Sequence, residues 1–391
     1  MRVCHIWHAF PPLTVGGVEQ YILTLSNHLA QAHPEMTFLL ITDNTMHPLL
    51  QTRKIPQTEK YGNLTVHRFG PNFLSASRGL YYKALHRSSG YIERHLTRKL
   101  YTQMANNQEV AKSDVFHIHG LWDLQYPTVG LRLSQHFGKP LIVSLHGEHV
   151  GSEFYYSMPL QKTEFTSILQ HATFITTYSQ SVHNTLEAMG FRGKTGLIPN
   201  FVSTQNFKRP PVTLESKPGN RVTMVCRLDP FKDPITAVQA FALVVDKDPT
   251  AKLQIIGDGP LYSTIKKLID ELNLEASVYL AGQHTDVRPF LWNNDIFLTG
   301  NAFVSILEAW SAGLAVVATN GETSGKLISN GKNGVVVQPQ NPQKLAAALL
   351  QVMQNPTYRE SIVKNGLETV GIYDITSVGK QFLDIYRSVT P

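Results

Sequence analysis

Along the chain, short runs dense in β-branched and aromatic residues alternate with stretches whose apolar residues recur at helical spacing. The runs are RVCHIWH (2–8), TFLLIT (37–42), LTVHRF (64–69), DVFHI (114–118), PLIVSL (140–145) and TFITTY (173–178). They continue with TGLIP (195–199), RVTMVC (221–226), KLQIIG (252–257), VYLAG (278–282), DIFLT (295–299) and LAVVAT (314–319). In the first helical stretch, Val18, Tyr21, Ile22, Leu25 and Leu29 make one apolar stripe. Strand–helix alternation with nearly all-apolar strands predicts parallel sheets covered by helices on both faces. The rhythm stops at NFVSTQNFKRPPVTLESKPGN (200–220), which is polar, Pro-rich and aperiodic, and reads as a linker. The expected fold class is therefore α/β: two doubly wound, Rossmann-like domains facing a cleft, one over residues 1–200 and one over 221–372, joined by 201–220.

Composition narrows this picture without changing it. The chain of 391 residues is 42% hydrophobic and 16% charged. No apolar run approaches the roughly 18 residues that span a bilayer. VCHIWHAFPP, after Arg2, is too short and His-rich for a signal peptide. Two cysteines, Cys4 and Cys226, fall in strands of different halves and read as buried apolar residues, so a cytoplasmic setting is expected. The net charge of +6 is concentrated early, with 17 Lys+Arg against 12 Asp+Glu in residues 1–200. Residues 78–99 hold six basic residues and one acid, Glu93, mixed with Tyr81, Tyr82 and Tyr91. Such a stretch suits an anionic membrane surface or a solvated helix face. No nucleic-acid partner is expected.

In doubly wound sheets ligands gather at the carboxyl ends of strands, and that rule sorts the candidate motifs. DKD (246–248) precedes a strand and reads as a helix-to-strand turn, not a metal-bound nucleotide site. NGETSGKL (320–327) has the wrong glycine spacing for a phosphate loop, with Leu327 in place of Ser or Thr. Four loops lie at the right edge. FPPLTVGGVEQ brings Gly16 and Gly17 to the start of a helix, where backbone N–H groups favour an anion. VFHIHG puts His117 and His119 on one strand face. SLHGEHV ends a strand with His146, Glu148 and His149, and VCRLDPFKDP sets Arg227 and Lys232 five residues apart before a helix, as a diphosphate clamp. His5, His8 and His117 read as polar residues satisfied within the fold. A zinc site from His117, His119, His146 and His149 is set aside, because no Asp or Cys stands at ligand spacing and the Arg227/Lys232/Glu308 half would lack a role. Glu308, between Leu307 and Ala309, is a carboxylate in an otherwise apolar stretch.

VGGVEQYILTLSNHLA, FHIHGLW, LIVSLHGE, LIPNFVSTQNF, VCRLDPFKDP, LQIIGDGPL and SILEAWSAGLAVVAT, in this order, make the chain resemble the retaining, metal-independent family-4 glycosyltransferases with the GT-B fold. The resemblance implies that Arg227 and Lys232 hold a donor diphosphate, that Glu308 accepts hydrogen bonds from ribose hydroxyls, and that Gly16 and Gly17 lie at the phosphates. It places His146 beside the reacting sugar carbon; His119, Glu148 and His149, at the ends of their strands, are expected to bind the acceptor. It also implies that a last helix, about 373–391, packs back on the first domain, and that the substrates are a nucleotide diphosphate sugar and a sugar or lipid-linked acceptor, with no cofactor or metal. The chain departs from the pattern at Gly300, where the family usually has a Glu that binds the donor sugar, and at Glu322-Thr323, where it has Gly-Gly. Lys326 stands where an acid is common, and NFVS (200–203) replaces Asn-Gly-Val-Asp. Gly300 is expected to leave room in the donor site, with Asn301 or Glu322 as substitutes for the missing carboxylate. The same glycine motivates the alternative reading of a non-catalytic sugar-nucleotide-binding or scaffold protein.

Overall fold

The computed structural model describes residues 1–12, 16–43, 55–69, 90–121, 125–146, 159–211, 219–321 and 324–390. Two compact units emerge: Met1–Pro199 with Thr376–Pro391, and Asn200–Ile375. The first unit holds strands β1 (Arg2–Ile6), β2 (Thr37–Asp43), β3 (Thr58–Tyr61), β4 (Leu64–Phe69), β5 (Val115–His119), β6 (Leu141–Leu145), β7 (Phe174–Thr177) and β8 (Thr195–Leu197). Their order is β3-β4-β2-β1-β5-β6-β7-β8. Every pairing is parallel except the hairpin β3–β4. The second unit holds β9 (Arg221–Val225), β10 (Lys252–Ile256), β11 (Val278–Gly282), β12 (Ile296–Thr299), β13 (Ala315–Thr319) and β14 (Val335–Val337). This sheet is wholly parallel, in the order β11-β10-β9-β12-β13-β14.

Both orders reverse direction once, between β1 and β5 and between β9 and β12. At such a switch point the loops leave in opposite directions and open a crevice at the strands' carboxyl ends. Two strands have no counterpart among the apolar runs. β3, TEKY, is a partly exposed edge strand with polar residues, and β14 is only three residues long.

Apolar residues explain why helices cover both faces. In β12, Ile296 and Leu298 join Val222, Met224 and Phe241 on one side of the second sheet. Phe297, between them, joins Trp310, Val316 and Ala318 on the other. In the first unit Cys4, Ile6, Phe116, Ile118 and Val143 form the corresponding layer. Both cysteines are free, and burial pushes each thiol up to about 12.

The start of the segment read as a linker is built into the second unit. Phe201 and Val202 are buried, the Val202 N–H donates to the Tyr373 carbonyl at 3.0 Å, and Thr204–Phe207 forms a turn of helix. Thr204 Oγ1 bonds Asp374 Oδ2 at 2.6 Å. The reason is that Phe201 and Val202 supply apolar surface that a solvated linker would waste. Residues 212–218 lie outside the described residues. The last helix, Ile375–Val389, belongs to the first unit from Thr376 onward and buries Val378, Phe382 and Tyr386.

Candidate functional site

In the second unit, the loops after β9 and β12 flank the switch point. Arg227 leaves β9 with its side chain 72% exposed, its Nε 3.8 Å from Asp229 Oδ2. Asp229 also accepts the Lys232 N–H through Oδ1 at 3.2 Å, so one carboxylate ties the backbone of one cation to the side chain of the other. Lys232 ends the short turn Pro230–Lys232, and Asp233, at φ 53°, reverses the chain into helix Pro234–Val245. The Lys232 Nζ donates to the Asn301 carbonyl at 2.6 Å and lies 5.6 Å from the Phe231 ring centre. Burial holds its pKa below the ordinary lysine value.

The Arg227 loop is fastened from its other side. Leu228 N–H donates to the Asp258 carbonyl at 2.9 Å, and Leu261 N–H to the Leu228 carbonyl at 3.0 Å. Gly257, at φ 141°, passes so near Cys226 that a Cβ there would overlap the Cys226 carbonyl oxygen. DKD behaves as a turn: Asp248 Oδ1 accepts the Thr250 N–H at 3.0 Å just before β10.

Gly300 corrects an expectation. It is buried at the end of β12, and a Cβ on it would overlap the carbonyl of Lys232. The space left by its missing side chain is filled by the lysine's own backbone and is not open to a bulkier sugar. Glycine here lets the clamp loop dock on the strand end. Asn301, next in the chain, is buried, packs against Gly321 and holds Lys232 through its carbonyl. Glu322 and Thr323 lie outside the described residues.

Glu308 sits on helix Val304–Ser311, which Trp310 anchors by donating Nε1–H to the Asn333 carbonyl at 2.9 Å. The carboxyl is half-buried, and among the described residues no hydrogen-bond donor reaches it. Burial pushes its pKa up to about 8. A carboxyl so placed lacks partners that a ligand with paired hydroxyls would supply.

The first unit arranges its residues differently. Helix Gly17–Ala32 starts at Gly16 without a side-chain cap, and among the described residues nothing lies within 4 Å of a Cβ placed on Gly17. Glu19, in the first turn, is buried; its Oε1 accepts Trp7 Nε1–H at 3.3 Å, and its Oε2 lies against Gly16. Its carboxylate already meets part of the positive helix end. The pattern Gly-Gly-Val-Glu, with an acid three residues after the cap, was the available signal for it.

His119 also corrects an expectation. It is buried at the end of β5 with both ring nitrogens engaged: Nε2 with His5 Nδ1 at 2.8 Å, and Nδ1 with His146 Nε2 at 3.1 Å. No nitrogen remains for an acceptor. His117 is likewise used up, between the Tyr386 hydroxyl and Ser144 Oγ, each at 2.7 Å. Burial lowers all four imidazoles, His5 to about 3, His146 to about 4, His117 and His119 well below the usual value, so the cluster is neutral near pH 7. His5, His117 and His119 bring one nitrogen each within 4.8 Å of the others. Side chains already occupy both nitrogens of two of them. His146 is half-buried beside Tyr21, ring centres 4.7 Å apart, and Glu148 and His149 lie outside the described residues.

Two family models match the chain: "Glycosyltransferase Family 4" over residues 15–206 and "Glycosyl transferases group 1" over 206–369. The chain is 29% identical over 145 residues to the lipopolysaccharide core biosynthesis glycosyltransferase LpsE of Rhizobium meliloti, covering 36% of this chain and 43% of that protein. It thus spans less than half the length of this relative. Among solved structures, sucrose-phosphate synthase from Thermosynechococcus elongatus superimposes with a TM-score of 0.75 at 18% identity, covering 99% of this chain and 98% of that one. Anabaena HepE in complex with UDP and glucose does so at 0.71 and 18%, covering 99% and 100%. The fold is GT-B, and the chain belongs to the family-4 glycosyltransferases.

Proposed function

We propose that this family-4 glycosyltransferase moves a sugar, with retention, from a nucleotide diphosphate sugar to a carbohydrate or lipid-linked acceptor in polysaccharide or glycolipid assembly. The observation that carries the reading is the grouping of Arg227, Lys232 and Glu308 on loops and helix beside the β9/β12 switch point, with no donor to Glu308 among the described residues. Two cations suit a diphosphate, and a carboxyl that no described donor reaches suits a ribose diol. HepE, of the same fold, was solved with UDP and glucose, and LpsE is named for lipopolysaccharide core synthesis.

Cleaving the sugar–phosphate bond builds positive charge on the sugar and negative charge on the departing diphosphate. Arg227 and Lys232 stabilise the leaving group from fixed positions, so no metal or cofactor is called for. Attack comes from the face the diphosphate leaves, and the phosphate takes the acceptor's proton. His146 keeps the role that the family resemblance implies, beside the reacting sugar carbon. Peripheral attachment to an anionic cytoplasmic membrane surface through 78–99 fits the exposed Arg94, Arg98 and Lys99 on helix Gly90–Ala105. Among the described residues no helix is long and apolar enough to cross a membrane.

The test is nucleotide release from a panel of nucleotide diphosphate sugars, with and without excess EDTA. Release from one donor, undiminished by EDTA and accompanied by an α- or β-linked product of the donor's own configuration, is expected. Binding without turnover of any donor would favour the scaffold reading, and loss of activity on chelation would remove metal independence.

A further inference from the structure

The imidazoles of His5, His119 and His146 form one line across the first unit: His5 Nδ1 meets His119 Nε2 at 2.8 Å, and His119 Nδ1 meets His146 Nε2 at 3.1 Å. Each neutral imidazole carries one N–H and one lone pair. The line therefore has only two consistent settings. In one, protons point inward, and His5 is left with an N–H at Nε2. In the other they point outward, and His5 Nε2 is a bare lone pair. That Nε2 is buried and has no partner among the described residues. The His5 ring is locked in place, stacked on Phe38 with centres 5.8 Å and planes 12° apart. A buried N–H without an acceptor is rarer and costlier than an under-used acceptor. The outward setting is thus the one the buried end selects.

We propose that His5 and His119 are positioning residues that hold His146 in the Nδ1–H tautomer, presenting a hydrogen-bond donor and no lone pair. His5 donates Nδ1–H to His119, and His119 donates Nδ1–H to His146 Nε2. The lone pair of His146 is then consumed inside the protein. Its Nδ1–H is met by no described residue. An oxygen of the donor sugar is the class of group it takes, a statement that rests on the proposed transferase reading. On this arrangement His146 cannot serve as the general base. The acceptor's proton must leave by another route, which same-face attack with proton transfer to the departing phosphate provides.

Long-range ¹H–¹⁵N spectra of the full chain with ¹⁵N-labelled histidine, without any substrate, read the tautomers directly. Nδ1–H at His5, His119 and His146 is expected. Nε2–H at His146, or coordination shifts at His5, His117 and His119 on adding zinc, would overturn the relay in favour of the inward setting or a metal centre. H119L should return His146 at least partly to Nε2–H and lower kcat about tenfold or more, the scale seen when a partner that fixes a histidine's tautomer is removed, with the donor KM changed little. An unchanged His146 tautomer in H119L overturns the positioning role. H5F, which keeps an aromatic ring against Phe38, should loosen the tautomers of His119 and His146 in the same spectra if H119L does not fold. The spectra stand without turnover, so expected tautomers with no effect of H146A on rate would count against the transferase role of His146 and leave the relay intact.

Discussion

The two units treat polar groups in opposite ways. In the first, four histidines are buried or half-buried, neutral, and joined to one another or to Tyr386 and Ser144. In the second, Arg227 stands 72% exposed, and Glu308 has no described donor. Polar groups that satisfy each other are rigid and fix orientation; polar groups left short of partners are poised for a ligand. The contrast separates architecture from binding even though both groupings lie at a switch point.

The largest expected effect tests the second half of that contrast. R227A should slow turnover by about two to three powers of ten, as for loss of a key electrostatic donor. Its unfolding midpoint should fall by no more than about 2–4 °C, since an exposed ion pair contributes about 0–1 kcal/mol. Activity within a few-fold of the parent would break the assignment. H117L should do the reverse. It strands the Tyr386 hydroxyl and one side of Ser144, at about 1–3 kcal/mol for each buried group left unpaired. Calorimetry should show the midpoint of the first unit falling by several degrees, and an unchanged midpoint would mean the network carries little stability.

Acidity should then pull the two units apart. His5 and His146 have folded pKa values of about 3 and about 4, below the ordinary histidine value of 6.5. The unfolded chain binds more protons between those values, so their contribution is full above about 6.5 and is lost as pH falls, by about 1.4 kcal/mol per pH unit for each group. Glu308 has the opposite sign. Its folded pKa of about 8 exceeds the ordinary 4.5, so its contribution is full below about 4.5 and is lost as pH rises through about 8. Amide exchange corrected for intrinsic rates should show β1 and β5 weakening toward pH 5, and the helix Val304–Ser311 weakening toward pH 9. The same trend in both units would erase the distinction.

The smallest effect sharpens the site itself. G300A should cost the second unit about 1–3 kcal/mol, the range for overpacking, and should displace Lys232, lowering donor affinity. A stable variant with full affinity would show that the clamp loop does not depend on close contact with the end of β12.

Much of this was legible in the sequence because it is local. Apolar runs marked β1, β2 and β4 to β13, since an element buried on both faces writes itself as a continuous stretch; β3 and β14, short or half-wet, write almost nothing. Arg227 was legible as a charge at a strand end, Lys232 as one just before a helix, and Glu308 as a lone carboxylate in an apolar stretch. What only the tertiary structure decided joins residues far apart in the chain. His5 meets His119 across 114 positions, and His117 meets Tyr386 across 269. Those pairs exist because strand order puts β1 beside β5 and the final helix over them. Gly300 looked like a vacancy until the Lys232 carbonyl was seen to fill it. His119 looked like a ligand contact until both its nitrogens were found engaged. Residue type and spacing tell which groups can bond; only the register of distant strands decides which partners lie within the 3 Å or so that a hydrogen bond spans.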